Sequence, residues 1–316
     1  MRRLLRLFSL AVVGLVLGLA LYAGLVHIGL ARSLLAPTLR GDIALARSDR
    51  PGLRVLFVGN SFTFKNSLPA LVHDLAAEDP GATPIYSVEY AAPGWSLHQA
   101  SKDDGLGKLL KEVHWDVVVL QEKSWVLSFP EERWRRETYP GARDLHERIS
   151  AAGARTVLFM TWGYVRGDRW HEPHDTYAAM QARLADGYSK LGAELGAQVA
   201  PAGLAWAEAL RREPSLDLWA GDGQHPSRLG SYLAACVFYA MLSGREPIRS
   251  RFTAGIQPDQ ARLFQRVAGN VSDLGVPTGS TESPEASRPG ARELLTPVAT
   301  GLDRTLKIAS DPADGA

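Results

Sequence analysis

Two short segments, far apart in the chain, carry residue types that could do chemistry together. The first is Gly59-Asn60-Ser61-Phe62-Thr63, which sets a serine directly behind a β-branched apolar run, Arg54 to Val58, and ahead of a helix-like stretch from Ser67 to Glu78. A serine at the carboxyl end of a buried strand presents its hydroxyl at the working edge of a sheet, where neighbouring amides can stabilise negative charge. Short polar residues also make ordinary turn hydrogen bonds, so this segment alone does not specify a nucleophile. The second is Asp222-Gly223-Gln224-His225-Pro226, just before a strongly apolar helical stretch from Ser227 to Leu242. A spacing of three across a tight turn lets a carboxylate reach an imidazole Nδ1. That contact fixes the tautomer and leaves Nε2 free to take a serine proton.

The elements between these segments alternate. Strand-like runs fall at Ile85 to Ala92, Asp116 to Leu120, Arg155 to Met160 and Gln198 to Ala200. Helical stretches fall at Leu97 to Val113 with a break around Gly105, Glu131 to Ala152 with an interruption at Pro140, Thr176 to Leu195, Leu204 to Arg211 and Pro258 to Val271. Strands alternating with helices of this length predict an α/β domain, a three-layer α/β/α sandwich around a parallel sheet. Ligands in such sheets bind at the carboxyl ends of the strands, so the loops after Val58, Ala92, Leu120 and Met160 are expected to form the site.

The ordered blocks Gly59-Asn60-Ser61, Ala92-Pro93-Gly94-Trp95-Ser96 and Asp222-x-x-His225-Pro226 resemble those of the SGNH (GDSL-like) hydrolase superfamily, over about Leu53 to Leu242. The resemblance implies a flavodoxin-like sandwich and hydrolysis of an ester, often an acetyl group on a sugar or a lipid-like acyl chain. It implies that Ser61 is the nucleophile, that Asp222 and His225 are its partners, and that the amides of Ser61 and Gly94 are oxyanion donors. The third block departs from the usual Gly-x-Asn-Asp, because Leu120-Gln121-Glu122-Lys123-Ser124 stands there; Gln121 is then the expected third oxyanion donor. Asn60, Trp95, Glu122 and Trp162, all near strand ends, are expected to meet substrate. An O-acyltransferase using the same triad, or a catalytically silent surface module binding glycan or lipid, are the alternative readings.

Other chemistry finds less support. There is no Gly-x-Ser-x-Gly elbow, since Thr63 takes the second glycine's place, and Gly105-x-Gly107-Lys108 lacks the third glycine of a dinucleotide loop and the Walker spacing. Asp168, His171, His174 and Asp175 are metal-ligand types in one loop, but Glu172 and Pro173 interrupt a helical His spacing and a solvated rim is the simpler reading; no metal or other cofactor is expected. A net charge of +1, from 35 basic and 34 acidic residues, gives no footprint for nucleic acid. The single cysteine, Cys236, lies among small and apolar residues as core, and no disulfide can form within the chain.

At the amino terminus Arg2, Arg3 and Arg6 precede an apolar run from Leu7 to about Leu30, long enough to cross a bilayer. Residues 1–31 are therefore expected to be a membrane anchor with the domain outside the cytoplasm, the alternative being a cleaved signal and a secreted domain. Residues 32–52 are expected to be a linker and 53–274 the catalytic domain. Residues 275–316, with Pro277, Pro284, Pro289, Pro297 and Pro312 and few large apolar residues, are expected to be a disordered tail.

Overall fold

Val55, Leu56, Phe57 and Val58 are fully buried, as are Val117, Val118 and Leu120, and this burial on both faces is what their uninterrupted apolar sequence requires. The computed structural model describes residues 36–270, in which residues 39–270 belong to one compact unit. Six strands form one sheet: β1 (Thr38–Arg40), β2 (Leu53–Gly59), β3 (Ile85–Ala91), β4 (Val117–Leu120), β5 (Arg155–Phe159) and β6 (Gln198–Ala200). Their order across the sheet is β1-β3-β2-β4-β5-β6. Strands β2 to β6 pair in parallel, with Val58 opposite both Tyr90 and Leu120.

Eleven α-helices are seen among the described residues: α1 (Ile43–Ala46), α2 (Ser61–Phe64), α3 (Leu68–Ala77), α4 (Leu97–Ser101), α5 (Asp104–Glu112), α6 (Glu131–Glu137), α7 (Tyr139–Ala151), α8 (Tyr177–Leu195), α9 (Ala202–Arg212), α10 (Arg228–Ser243) and α11 (Pro258–Gly269). The chain leaves β2 toward β3 in one direction and then steps from β3 across β2 to β4, β5 and β6 in the other. Right-handed crossovers therefore put α3 on one face and the helices between β3 and β6 on the opposite one. Helix α10 packs on α3 and α11, and α4 packs on α7. The reversal of direction at β2 opens a crevice beyond its carboxyl end, which is where such sheets bind ligands.

The expected α/β architecture is the observed one, with two differences of detail. The break between α4 and α5 falls ahead of Gly105, because Asp103 caps α5 by accepting the Leu106 amide at 2.7 Å while also accepting the Tyr90 hydroxyl. The expected linker is partly structured: β1 borders the sheet and α1 lies within it. Arg54 holds this segment, donating to the carbonyls of Ala46, Ser48 and Arg50, and Ala46 is buried. The expected anchor and tail lie outside the described residues. Among the described residues no helix is long and apolar enough to cross a membrane.

Helices α3 and α10 follow the two chemistry-bearing segments, and an ion pair between a buried carboxylate and a half-buried guanidinium ties their far ends. Asp79, just after α3, accepts from the Arg245 guanidinium at 2.7 and 2.9 Å and from the Tyr239 hydroxyl of α10. The Arg245 fork holds the Asp79 carboxyl below the ordinary carboxylate range against the opposing effect of burial, with the Tyr239 hydroxyl adding to it. Because the folded-state value is depressed, the pair's contribution is present above the unfolded carboxylate range and is lost as pH falls through the folded value. Asp79→Ala should cost about 3 kcal/mol in urea unfolding at neutral pH. The deficit relative to the unmodified chain should shrink on acidification.

Candidate functional site

Three loops at the carboxyl ends of β2, β3 and β4 are held together by the side chain of Asn60. Its Oδ1 accepts the Phe62 amide at 3.1 Å, capping α2. Its Nδ2 donates to the Trp95 carbonyl at 2.9 Å and to the Glu122 carbonyl at 3.4 Å. The Gln121 Oε1 accepts the Asn60 amide and the Thr63 hydroxyl, both at 2.9 Å, and its Nε2 donates to the Glu122 carbonyl. Gly59 is required because a Cβ there would lie 2.6 Å from the Gln121 Oε1 and 2.4 Å from the Thr63 hydroxyl.

This packing leaves Ser61 at the first turn of α2 with its side chain outward. Its Oγ is 2.8 Å from the His225 Nε2, and the His225 Nδ1 is 2.6 Å from the Asp222 Oδ2. The other Asp222 oxygen accepts the Gln224 and His225 amides at 3.0 and 2.9 Å, so the carboxylate is oriented by its own turn. Partial burial pushes the Asp222 carboxyl up, but those two amides and the imidazole outweigh it and hold the group below its ordinary range. Asp222 is therefore an anion at neutral pH. The side chains are 49 % and 25 % exposed for Asp222 and His225, open enough for a ligand to approach.

The His225 turn is a tight loop closed on itself. Ala220 donates to the His225 carbonyl at 2.8 Å, Gly223 to Ala220 at 2.9 Å, and Val165 to Gly223 at 2.9 Å. Gly223 has φ +68°, a conformation that favours glycine. Beneath it runs an aromatic stack. Phe62 lies 5.2 Å from both the Trp162 and His225 rings, and Trp162 lies flat on Trp206 at 3.9 Å. The Trp162 indole N–H donates to the Gln224 carbonyl at 3.0 Å.

Of the expected site residues, the structure brings Ser61, His225 and Asp222 into one hydrogen-bonded chain. The hydrogen bonds of the Ser61 turn run from the amides of Phe62, Thr63 and Phe64 to Asn60, and none of them uses the Ser61 N–H. At Gly94, exposed with φ +62°, the turn is closed by Trp95 donating to Ala92, again without the glycine amide. Gln121 departs from expectation: it is buried with both ends of its carboxamide bonded inside the protein, so it supports the serine turn from beneath instead of pointing into the site. Asn60, Trp95, Glu122 and Trp162 are also buried, which corrects the expectation that they meet substrate. Glu122 accepts the Leu97 and Lys123 amides and the Thr138 hydroxyl, and burial raises its carboxyl above the ordinary range despite them.

One residue missed by sequence reasoning is Asn66. Its Nδ2 lies 3.1 Å from the Pro226 carbonyl, 3.0 Å from that of Ser227 and 2.9 Å from the Ser231 hydroxyl, tying the Ser61 helix to the His225 turn. Its left-handed backbone, φ 54°, is one that asparagine tolerates, and a second Asn-Ser pair ahead of Pro69 was the available signal.

A cleft of ≈ 1320 Å³ opens beside this centre, one wall formed by Asp222, Gly223 and Gln224. Two acidic side chains and one histidine of its rim loop are paired with neighbours. Asp175 takes Arg183 at 2.7 and 3.0 Å, and Asp168 takes His171 at 2.7 Å. Among the described residues no group of three or more metal-ligand side chains converges.

No family model matches the chain, and no curated protein sequence does. Solved structures do. A DUF4886 family protein from Bacteroides uniformis matches with a TM-score of 0.59 at 20 % identity, over 75 % of this chain and 100 % of that one. What is shared is the fold. A putative SGNH hydrolase from Slackia heliotrinireducens matches with a TM-score of 0.49 at 27 % identity, over 60 % of this chain and 97 % of that one. An acetylxylan esterase from Geobacillus stearothermophilus matches with a TM-score of 0.47 at 20 % identity, over 63 % of this chain and 98 % of that one.

Asn60→Asp tests the amide that joins the three loops. A carboxylate at this position would face two carbonyl oxygens with no proton to offer. The substitution should cost about 3 kcal/mol at neutral pH. It should recover stability as pH falls and the acid becomes a donor, which urea midpoints measured across pH would show.

Proposed function

We propose that this chain is a serine ester hydrolase of the SGNH type, acting on O-acyl esters, with O-acetyl groups on carbohydrate as the preferred class. The observation that carries the reading is the continuous relay from Ser61 through His225 to Asp222, with contacts of 2.8 and 2.6 Å. A hydroxyl at its ordinary acidity is a poor nucleophile and needs a base in contact as it attacks. Here His225 Nε2 accepts the proton as the Ser61 Oγ bonds to the ester carbonyl carbon. Asp222 holds the Nδ1 proton and stabilises the imidazolium that forms.

The carbonyl electrons pass to oxygen, which the Ser61 and Gly94 amides would bind. Two backbone donors suffice for such a hole, and the loss of one typically costs a hundredfold or more in rate. Collapse of the tetrahedral species expels the alcohol, protonated by His225. Water, deprotonated by the same imidazole, then releases the acid and restores Ser61. The buried Gln121 lends no donor in this scheme, and its part is to fix the turn that presents the Ser61 amide. An apolar amino-terminal anchor, with the domain facing cell-surface glycans, is the setting proposed for this activity.

Ser61→Ala should lower kcat for p-nitrophenyl acetate by a factor on the order of 10⁴ or more. Its far-ultraviolet circular dichroism and unfolding midpoint should stay close to those of the unmodified chain. Comparable turnover in both proteins, measured at equal concentration, would contradict the reading.

A further inference from the structure

The loop between β5 and α8 repeats, on the rim of the cleft, the arrangement that holds His225. Asp168 and His171 have the same three-residue spacing as Asp222 and His225, and the His171 Nδ1 is 2.7 Å from the Asp168 Oδ2. The Asp168 side chain is 5 % exposed and that of His171 34 %. Asp168 is itself fixed, since its amide donates to the Asp175 Oδ2 at 2.7 Å and Asp175 is clamped by Arg183. A buried carboxylate therefore sets the tautomer of His171, so that its Nε2 carries the acceptor lone pair whenever the ring is neutral. No serine or other partner meets that nitrogen among the described residues.

Both histidine turns border one cleft: Asp168, Trp170 and His171 on one side, Asp222 and Gln224 on the other. Trp170 is 90 % exposed and has no ring or cation partner among the described residues. Trp125, stacked near His171 with ring centres 6.4 Å apart, adds a second aromatic face to the same cleft. Flat apolar faces interleaved with oriented hydrogen-bonding groups suit a polyhydroxylated ring, whose C–H face packs on an indole while its hydroxyls meet polar side chains. A lipid alcohol would find charged groups such as Arg166, Glu213 and Asp217 lining its path. The cleft exceeds the roughly 300–1,000 Å³ usual for single small-molecule sites, which leaves room for more than one ring.

We infer that this cleft is the subsite for the alcohol part of the ester, a carbohydrate of two or more rings, with Trp170 as its stacking platform and His171 as its oriented hydrogen-bonding group. The inference rests on the hydrolase reading for the identity of the alcohol part. His225 must deliver its proton to the leaving oxygen, so the departing alcohol lies on the His225 side of Ser61, and the Asp222–Gln224 segment of the His225 turn lines the cleft. The acyl carbonyl oxygen faces the other way, toward Ser61 N–H and Gly94.

Two esters with the same acyl group separate the alcohol subsite from the chemistry. For Trp170→Ala and His171→Ala, the quotient of kcat/KM for acetylated cellobiose over kcat/KM for ethyl acetate should fall at least tenfold, mainly through a higher KM for the sugar ester. His171→Gln, which keeps a side-chain amide near the Nε2 position, should restore part of it. A quotient unmoved in both alanine variants overturns the inference. Titration of acetylated cellobiose into Ser61→Ala, followed by isothermal calorimetry, keeps the two readings apart. If the unmodified chain hydrolyses neither ester but this binding is present and disappears in Ser61→Ala/Trp170→Ala, the subsite stands and the hydrolase reading falls. If binding and hydrolysis are both absent, both fall.

Discussion

The primary amide of Asn60 is the joint on which the site is built. It must offer an acceptor to the Phe62 amide and a donor to two carbonyls from different loops, Trp95 and Glu122. Neither aspartate nor leucine could do both. The convergence of two carbonyls on Nδ2 calls for a side chain that can donate there, which an amide does. Gln121 completes the joint from below by accepting the Asn60 amide and the Thr63 hydroxyl. A buried polar network of this kind is stabilising only when every member is satisfied, and each contact here fixes the position of Ser61.

From that joint the rest of the geometry follows by rigid attachment. Ser61 begins α2, and α3 follows within a few residues; His225 ends at the start of α10. Asn66 ties the near ends of these segments, the Asp79–Arg245 pair ties the far ends, and the Phe62–Trp162 stack fills the space under the His225 ring. The relay is thus held from three directions while the Asp222 edge remains open to the cleft. A reacting pair must be placed within a fraction of an ångström for full rate, so these attachments matter more than their individual energies.

What the sequence made legible was local. Strands buried on both faces read as unbroken apolar runs, so β2 and β4 were visible in Arg54 to Val58 and Asp116 to Leu120. The Asp222-x-x-His225 turn is closed by contacts within three residues, and Ser61 sits at a strand end that the pattern marks. Side-chain direction was not legible. Gln121, Glu122 and Trp162 follow strand ends, but whether they point into the cleft or the core depends on partners more than fifteen residues away. Asn66 and Asp79 act through contacts roughly 160 residues distant, for which no spacing rule exists. The structured part of residues 32–52 escaped for a similar reason, since its order comes from Arg54 and the sheet edge.

The central claim is that His225 and Asp222 make the Ser61 hydroxyl a nucleophile. Its most direct measurement is the rate of covalent capture by a fluorophosphonate, read by mass spectrometry of the peptide that contains Ser61. The account predicts a single adduct on Ser61, formed at least a hundredfold more slowly in His225→Gln, where the base is gone and the fold is kept. No adduct on Ser61, or capture at the same rate in both proteins, would contradict it.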